Sequence, residues 1–423
     1  MSDATLTLLV LAVMMVGFFT QAVPLYITAL SGAIVLGLLG VIPIGEVYAG
    51  LANPILVLFA GMFVIGASLF HTGLAQQLGE WVVRACGRSE NRLMWGVMIV
   101  ASVLSTFASN TGTAAALIPT ILSLCHTAGI PAARQLMPMA FTTGFGGFST
   151  LVGTPPNIIV TESLQQAGHR PFGFFEFAWL GIPLAVAGMA YLAFIGKRFL
   201  PEAPCEAEEV HEHLQGHAVP ADRTRMWISG LILLGVIVAM AVNSDRLPLE
   251  TVAVIGALLC VLTGCVKHRQ AIESIEWETI LLFGAMFAVA RAIEDSGAGA
   301  WLAGGILFVL GQHPPGWLVL TALFVVSTLL TTFLSNTATA ALLAPIGLSL
   351  AQEIGANPEA LLMMIAAAGS CSFLTPLGTP PNALVLKPGN YNFTDYLKVG
   401  SGLTLVCLLV ALAVIPLRWP VYD

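Results

Sequence analysis

The sequence predicts an all-α polytopic membrane protein made of two inverted-topology repeats. Each repeat has five transmembrane helices, with a re-entrant helical hairpin and a broken helix. Three observations carry this prediction. Of 423 residues, 57% are hydrophobic and only 9% charged, far below the roughly 25% charged residues usual in soluble domains. Apolar runs of roughly 17 to 22 residues recur along the chain, each long enough to cross a hydrocarbon core as a helix. Finally, two short polar motifs occur twice. Ser109-Asn110-Thr111 returns as Ser335-Asn336-Thr337, and Gly153-Thr154-Pro155-Pro156-Asn157 returns as Gly378-Thr379-Pro380-Pro381-Asn382, displaced by 226 and 225 residues.

Taken in order, the run 5–20 lacks a basic segment before it and a small-residue cleavage site after it, so it reads as a retained span. Further spans follow near 25–43, 53–70 and 177–199, then near 227–243, 249–266, 277–295 and 397–416. A shift of about 224 residues lays the first set on the second, bringing Phe59-Ala60-Gly61-Met62-Phe63 onto Phe283-Gly284-Ala285-Met286-Phe287. The repeats therefore occupy 1–199 and 226–423, with a cytoplasmic loop at 200–225. Between the spans, Ser-Asn-Thr separates two short apolar arms in each repeat. These read as hairpins near 93–126 and 317–352 with Ser-Asn-Thr at their tips. Each hairpin precedes a helix, near 135–167 and 359–390, interrupted by tandem prolines that delete two backbone donors and clash with the preceding turn. The segments Leu74–Arg88 and Gly299–Gln312 read as helices lying in the membrane plane.

Five crossings per repeat is an odd number, so the second copy enters from the opposite side. With the N-terminus outside, Arg84, Arg88, Arg92, Arg134, Lys197, Arg198, Arg223, Arg225, Lys267, Arg269, Lys387 and Lys398 fall inside, against Arg170, Arg246, Arg291 and Arg418 outside. This asymmetry favours both termini outside. The expected location is the lipid bilayer of a bacterial inner (plasma) membrane.

The seven cysteines show no paired spacing and read as small buried hydrophobes. No basic cluster suggests nucleic acid. His211, His213 and His217 with Glu206, Glu208, Glu209 and Glu212 could bind a metal, but a solvated acidic loop explains them better. No span carries a nucleophile–base pair or a metal-ligand cluster, so an enzyme is not expected.

The motif regions are polar yet uncharged: no acidic residue lies between Asn91 and Thr161, and no charged residue within 297–352 or 360–386. Unwound carbonyls with Ser, Thr and Asn oxygens suit a hard cation such as Na⁺, while helix N-termini suit an anion. Asn110, Thr111 or Thr113, and Asn336, Thr337 or Thr339, could also cap the arms that follow. One Ser-Asn-Thr in an apolar helix is ordinarily a contact between helices. Two copies, each with its proline break in the same order, point to a secondary transporter with its site between the repeats.

These residues resemble the divalent anion:sodium symporter family of sodium–dicarboxylate and sodium–sulfate cotransporters. The likeness rests on both Ser-Asn-Thr motifs, both Gly-Thr-Pro-Pro-Asn loops, the segment Trp277–Ala288 and the stretch Ser370–Val385, where Gly369 is a mild departure. The family commonly carries an additional helix before the first repeat, whereas this sequence opens on the repeat itself. The resemblance implies a first sodium site at Ser105, Ser109, Asn110 and Gly153, and a second at Thr331, Leu334, Asn336 and Gly378. It implies substrate contacts at Asn110, Thr111, Thr154, Asn336, Thr337 and Thr379, a homodimer, and an elevator-like movement. Na⁺ at two or more sites is the expected co-transported ion, with no organic cofactor.

The expected substrates are C4-dicarboxylates such as succinate, malate and fumarate. Sulfate symport and dicarboxylate exchange are the alternatives, and an anion channel is a rival. A proton-coupled antiporter would want a membrane carboxylate near the breaks, and the motif stretches hold none.

Overall fold

The structure, a computed structural model, describes residues 2–86, 89–201, 222–242, 247–311 and 313–422, with side chains at 82–86 left aside. The acidic histidine-containing loop, and Arg84, Arg88 and Arg246 of the charge asymmetry, lie outside what is described. The described chain is helical. The first half comprises α1 (Asp3–Thr20), α2 (Leu25–Leu38), α3 (Pro54–His71), α4 (Leu74–Cys86), α5 (Glu90–Ser105), α6 (Asn110–Ala128), α7 (Ala133–Phe148), α8 (Pro155–Gln166) and α9 (Ala178–Phe194). The second half comprises α10 (Arg223–Val242), α11 (Leu249–Leu262), α12 (His268–Glu273), α13 (Trp277–Asp295), α14 (Ala298–Leu310), α15 (Gly316–Phe333), α16 (Asn336–Ile354), α17 (Pro358–Ser370), α18 (Pro380–Leu386) and α19 (Phe393–Arg418). Apart from the short α12, each second-half helix has a first-half counterpart in the same order.

Length and hydropathy sort these helices. Among the described residues α1, α10, α15, α16, α19 and the stretch Ile44–His71 are long and apolar enough to cross a membrane. The 13- to 17-residue helices α2, α9, α11 and α17 are apolar but shorter. Helix α14 bends 73° away from α13, and its Trp301, Phe308 and Val309 are exposed. That apolar surface suits contact with lipid more than with water. The arms of the second hairpin segment are longer than the sequence suggested, at 18 and 19 residues.

Two packed groups emerge. In the first, α3 lies against α11 and α2 against α13, with α10 beside α3 and α11. Small residues permit the close approach: a Cβ on Gly61 would stand 2.8 Å from the Ala253 backbone, and one on Gly284 2.2 Å from Leu51. The second group centres on α7 and α17. Every residue of Ala360–Ser370 is buried, as expected of a helix apolar on all sides. Around these two, α8 packs on α16 and α17, while α18 packs on α6 and α7. Each pairing is the other's counterpart under exchange of the two halves. Helices α4 and α14 run between the groups, α4 onto α5 and α6, α14 onto α16.

Candidate functional site

The sequence dictates where the chain stops being helical. Helix α6 starts at Asn110 because Ser109, in extended backbone, accepts the Gly112 amide on its side chain; Ser335 does the same for Ala338 at 3.1 Å. The caps are therefore the serines, and not the Asn or Thr residues that follow. This leaves those side chains and the first amides of each arm, which no carbonyl of their own helix can reach, facing outward. Helices α8 and α18 start at Pro155 and Pro380, with Thr154 and Thr379 as extended caps whose hydroxyls make no capping bond. Tandem prolines remove the first two N–H donors there, so these starts offer threonine hydroxyls in place of amides.

All four helix starts line one cavity of about 720 Å³. Asn110, Thr111, Thr154, Asn336, Thr337 and Thr379 all reach it, as do Ser109, Gly153, Ser335 and Gly378. A small recess beneath it is bounded by Asn110, Asn336, Thr154 and Thr379 together. The two motif pairs, 226 and 225 residues apart in the chain, thus converge. Ser105 and Thr331 lie behind this lining, fully buried, and Leu334 is buried as well. The hydroxyl of Ser105 donates to Asn110 Oδ1, and that of Thr331 donates to Asn336 Oδ1 at 2.7 Å. Each asparagine is therefore oriented from behind by the residue five positions earlier.

The two asparagine corners are alike but not identical. A Cβ on Gly147 would stand 2.5 Å from Asn110 Oδ1 and 2.7 Å from the Gly153 carbonyl oxygen. Two hard oxygens therefore meet over a glycine backbone, the donor type that suits a cation such as Na⁺. In the second corner the counterpart of Gly147 is Ser372, whose hydroxyl donates to the Thr331 carbonyl at 3.1 Å and occupies the space beside Gly378.

The unwound segments are fixed by residues that the sequence reading did not assign. Asn157 Nδ2 donates to the Phe148 and Thr150 carbonyls at 2.9 and 2.7 Å, and Asn382 Nδ2 to the Ser372 and Thr375 carbonyls at 2.8 and 3.2 Å. Thr150 and Thr375 in turn donate to the Thr106 and Thr332 carbonyls, tying each break to its hairpin segment. Both asparagines stand in the repeated motif, so repetition alone could have flagged them. Ser370 also lines the recess, and its buried hydroxyl has no hydrogen-bond partner.

Charge enters from outside the motif stretches. Glu273, Glu276 and Glu278 line the same cavity, and Ser109 Oγ donates to Glu276 Oε1 at 3.3 Å. Although Glu276 opens onto the cavity, desolvation by the surrounding protein raises its carboxyl above the ordinary range, against the pull of the Thr279 and Ser109 hydroxyls. A buried carboxylate also stands within a broken helix, contrary to the sequence expectation. Glu162 of α8, just beyond the acid-free stretch, is 5% exposed and accepts from Asn53 Nδ2 at 2.5 Å and Gln166 Nε2 at 3.1 Å.

A helical membrane protein with two like halves, whose broken helices meet in one polar cavity, is built as a secondary transporter. The chain belongs to the citrate transporter family (CitMHS), whose model matches residues 9–368 and 314–421. It is 29% identical to an uncharacterized transporter of Haemophilus influenzae, over 95% of this chain and 89% of that protein. It is 26% identical to the sodium-dependent dicarboxylate transporter SdcS of Staphylococcus saprophyticus, over 94% of this chain and 83% of that one. Among solved structures, the YdaH transporter of Alcanivorax borkumensis shares the fold, with a TM-score of 0.64 at 18% identity, covering 88% of this chain and 86% of that chain. The protein is thus a multi-pass transporter of the divalent anion:sodium symporter type, not an enzyme.

Proposed function

We propose that the protein couples inward movement of Na⁺ to uptake of a small divalent anion, with C4-dicarboxylates such as succinate, malate and fumarate as substrates. The observation that carries this reading is the convergence of Asn110, Thr154, Asn336 and Thr379 on one recess without a lysine or arginine among its lining residues. An anion bound by neutral hydroxyls and amides is stabilised further when cations sit beside it. About two Na⁺ ions offset a dianion and lower the cost of burying it. In this reading the Asn110 corner, with Ser105, Ser109 and Gly153, holds one ion. The Asn336 corner, with Thr331, Gly378 and the Leu334 carbonyl, holds the other. Thr111, Thr154, Thr337 and Thr379 contact the substrate.

The name of the relative SdcS supports the sodium and dicarboxylate terms. Each inward Na⁺ would contribute about 2.3 kcal/mol per 100 mV of membrane potential. Citrate is the second reading, favoured by the family description and by a cavity of about 720 Å³. The reciprocal pairing of α3 with α11 and α2 with α13 supports repeats of inverted topology, with the α5–α8 and α15–α18 group moving against that pair as an elevator. The scaffold is expected to form a homodimer. In the orientation that the charge asymmetry favours, the start of α13, whose Glu273, Glu276 and Glu278 line the cavity, lies toward the cytoplasm, and this supports reading the present state as inward-facing.

Uptake of radiolabelled succinate into proteoliposomes tests the proposal, with citrate, malate and sulfate as competitors and with or without a sodium gradient. Sodium-dependent uptake inhibited by malate is expected. Uptake indifferent to sodium, or inhibited by citrate alone, would overturn the sodium or the C4 term respectively.

A further inference from the structure

Two side-chain hydrogen bonds tie the starts of α3 and α13 to the helix group bearing the motifs. Asn53, the cap of α3, donates to Glu162 of α8 at 2.5 Å, and Ser109, the cap of α6, donates to Glu276, the cap of α13, at 3.3 Å. In one bond the start of α3 meets a broken helix; in the other the start of α13 meets a hairpin tip. Helices α3 and α13 are counterparts in the two repeats, yet they hold different kinds of partner. This is the asymmetry that one state of a two-fold device must show, because its other state is obtained by exchanging the roles of the halves.

The exchange can be carried out residue by residue. Ser109 corresponds to Ser335, and Glu162, nine residues after Gly153, corresponds to Lys387, nine after Gly378. The start of α3 would then meet Ser335, and the start of α13 would meet Lys387. Both new pairs are chemically sound. Asn53 can bond a serine hydroxyl, and Glu276 can pair with an ammonium group. In the present state Lys387 is exposed and its ammonium group has no ion pair or hydrogen-bond partner among the described residues, and the start of α13 is acidic, with Glu273 and Glu278 flanking Glu276. The replacement of glutamate by lysine between the repeats is what makes this exchange attractive. A strict copy of Glu162 at 387 would bring two carboxylates together.

We propose that Lys387 and Glu276 form an ion pair only in the opposite-facing state, where it replaces the Ser109–Glu276 contact, while Asn53 moves from Glu162 to Ser335. Lys387 and Glu276 are thus positioning residues that set which way the cavity opens. The inference rests on the alternating movement proposed above, and its tests separate the two ideas.

Full-length protein carrying Glu276→Cys and Lys387→Cys, in membranes, should cross-link with a short bifunctional thiol reagent, whereas either single variant should not. In transport assays Lys387→Glu should slow uptake by about tenfold, through like charges meeting at the start of α13, and the double variant Glu276→Lys/Lys387→Glu should recover most of it. Cross-linking together with rescue supports the exchange even if wild-type protein proves to carry a different anion. Normal sodium-dependent uptake by the wild type, with neither cross-link nor rescue, would sink the exchange and leave the transport reading intact.

Discussion

Asn157 and Asn382, counterparts in the two halves, hold the breaks in the same way: each side-chain amide reaches back to two carbonyls of the unwound segment before it. Unwound backbone inside a membrane protein is tolerated only where its polar groups are satisfied by protein or face a wet cavity. These asparagines meet that requirement on the protein side and leave the opposite side of each segment to the cavity. Tyr396 adds a further tie in the second half, donating to the Asn382 carbonyl at 2.7 Å.

Removing either amide should leave two buried carbonyls without partners. Asn157→Ala and Asn382→Ala are each expected to lower stability by about 1–3 kcal/mol. Thermal unfolding in detergent would register this. A melting temperature equal to that of the parent in both variants would contradict the role.

The hydroxyls behind the asparagines should matter for ion activation more than for substrate recognition. Thr331→Val removes the donor that orients Asn336, and Thr331→Ser keeps it. The valine variant is expected to need about tenfold more Na⁺ for half-maximal uptake, consistent with losing a neutral hydrogen bond of about 1.4 kcal/mol. The serine variant should stay near the parent. Sodium titrations of uptake at saturating substrate distinguish the two.

At Gly147 the close approach of Asn110 Oδ1 and the Gly153 carbonyl leaves no room for a methyl group. Gly147→Ala should displace one of these oxygens and abolish sodium-activated uptake, because the Gly153 oxygen belongs to the backbone and the Asn110 side chain is held from behind by Ser105. Ser372, the counterpart, already carries a side chain, so Ser372→Ala is expected to be far milder. Equal losses in both variants would argue against a glycine-specific fit.

Asn110→Ala and Asn336→Ala should each weaken sodium activation and raise the substrate concentration needed for half-maximal uptake, since both side chains border the shared recess. Sodium curves identical to those of the parent in both variants would remove these residues from the ion sites.

The breaks were legible in the sequence because helix punctuation is local: tandem prolines and a Ser-Asn-Thr inside an apolar run have the same consequence wherever they stand. The convergence of the two sites followed from their repetition. The capping serines were less legible. Ser, Asn and Thr in adjacent positions are all competent caps, and only the backbone shows which residue adopts the extended conformation. The carboxylates escaped notice for a different reason. Glu276 reaches Ser109 across 167 residues, and Glu162 reaches Asn53 across 109, so reading outward from either motif could not find its partner. The second hairpin arms exceed the expectation because α16 begins directly after Ser335 and runs to Ile354, beyond the expected end near 352.

The crosswise seating of α2 on α13 and α3 on α11 means that neither repeat encloses its own interior; each leaves a surface that only the other covers. A polypeptide severed between Pro201 and Asp222 should therefore yield two fragments that are insoluble or degraded when made singly and recombine when made together.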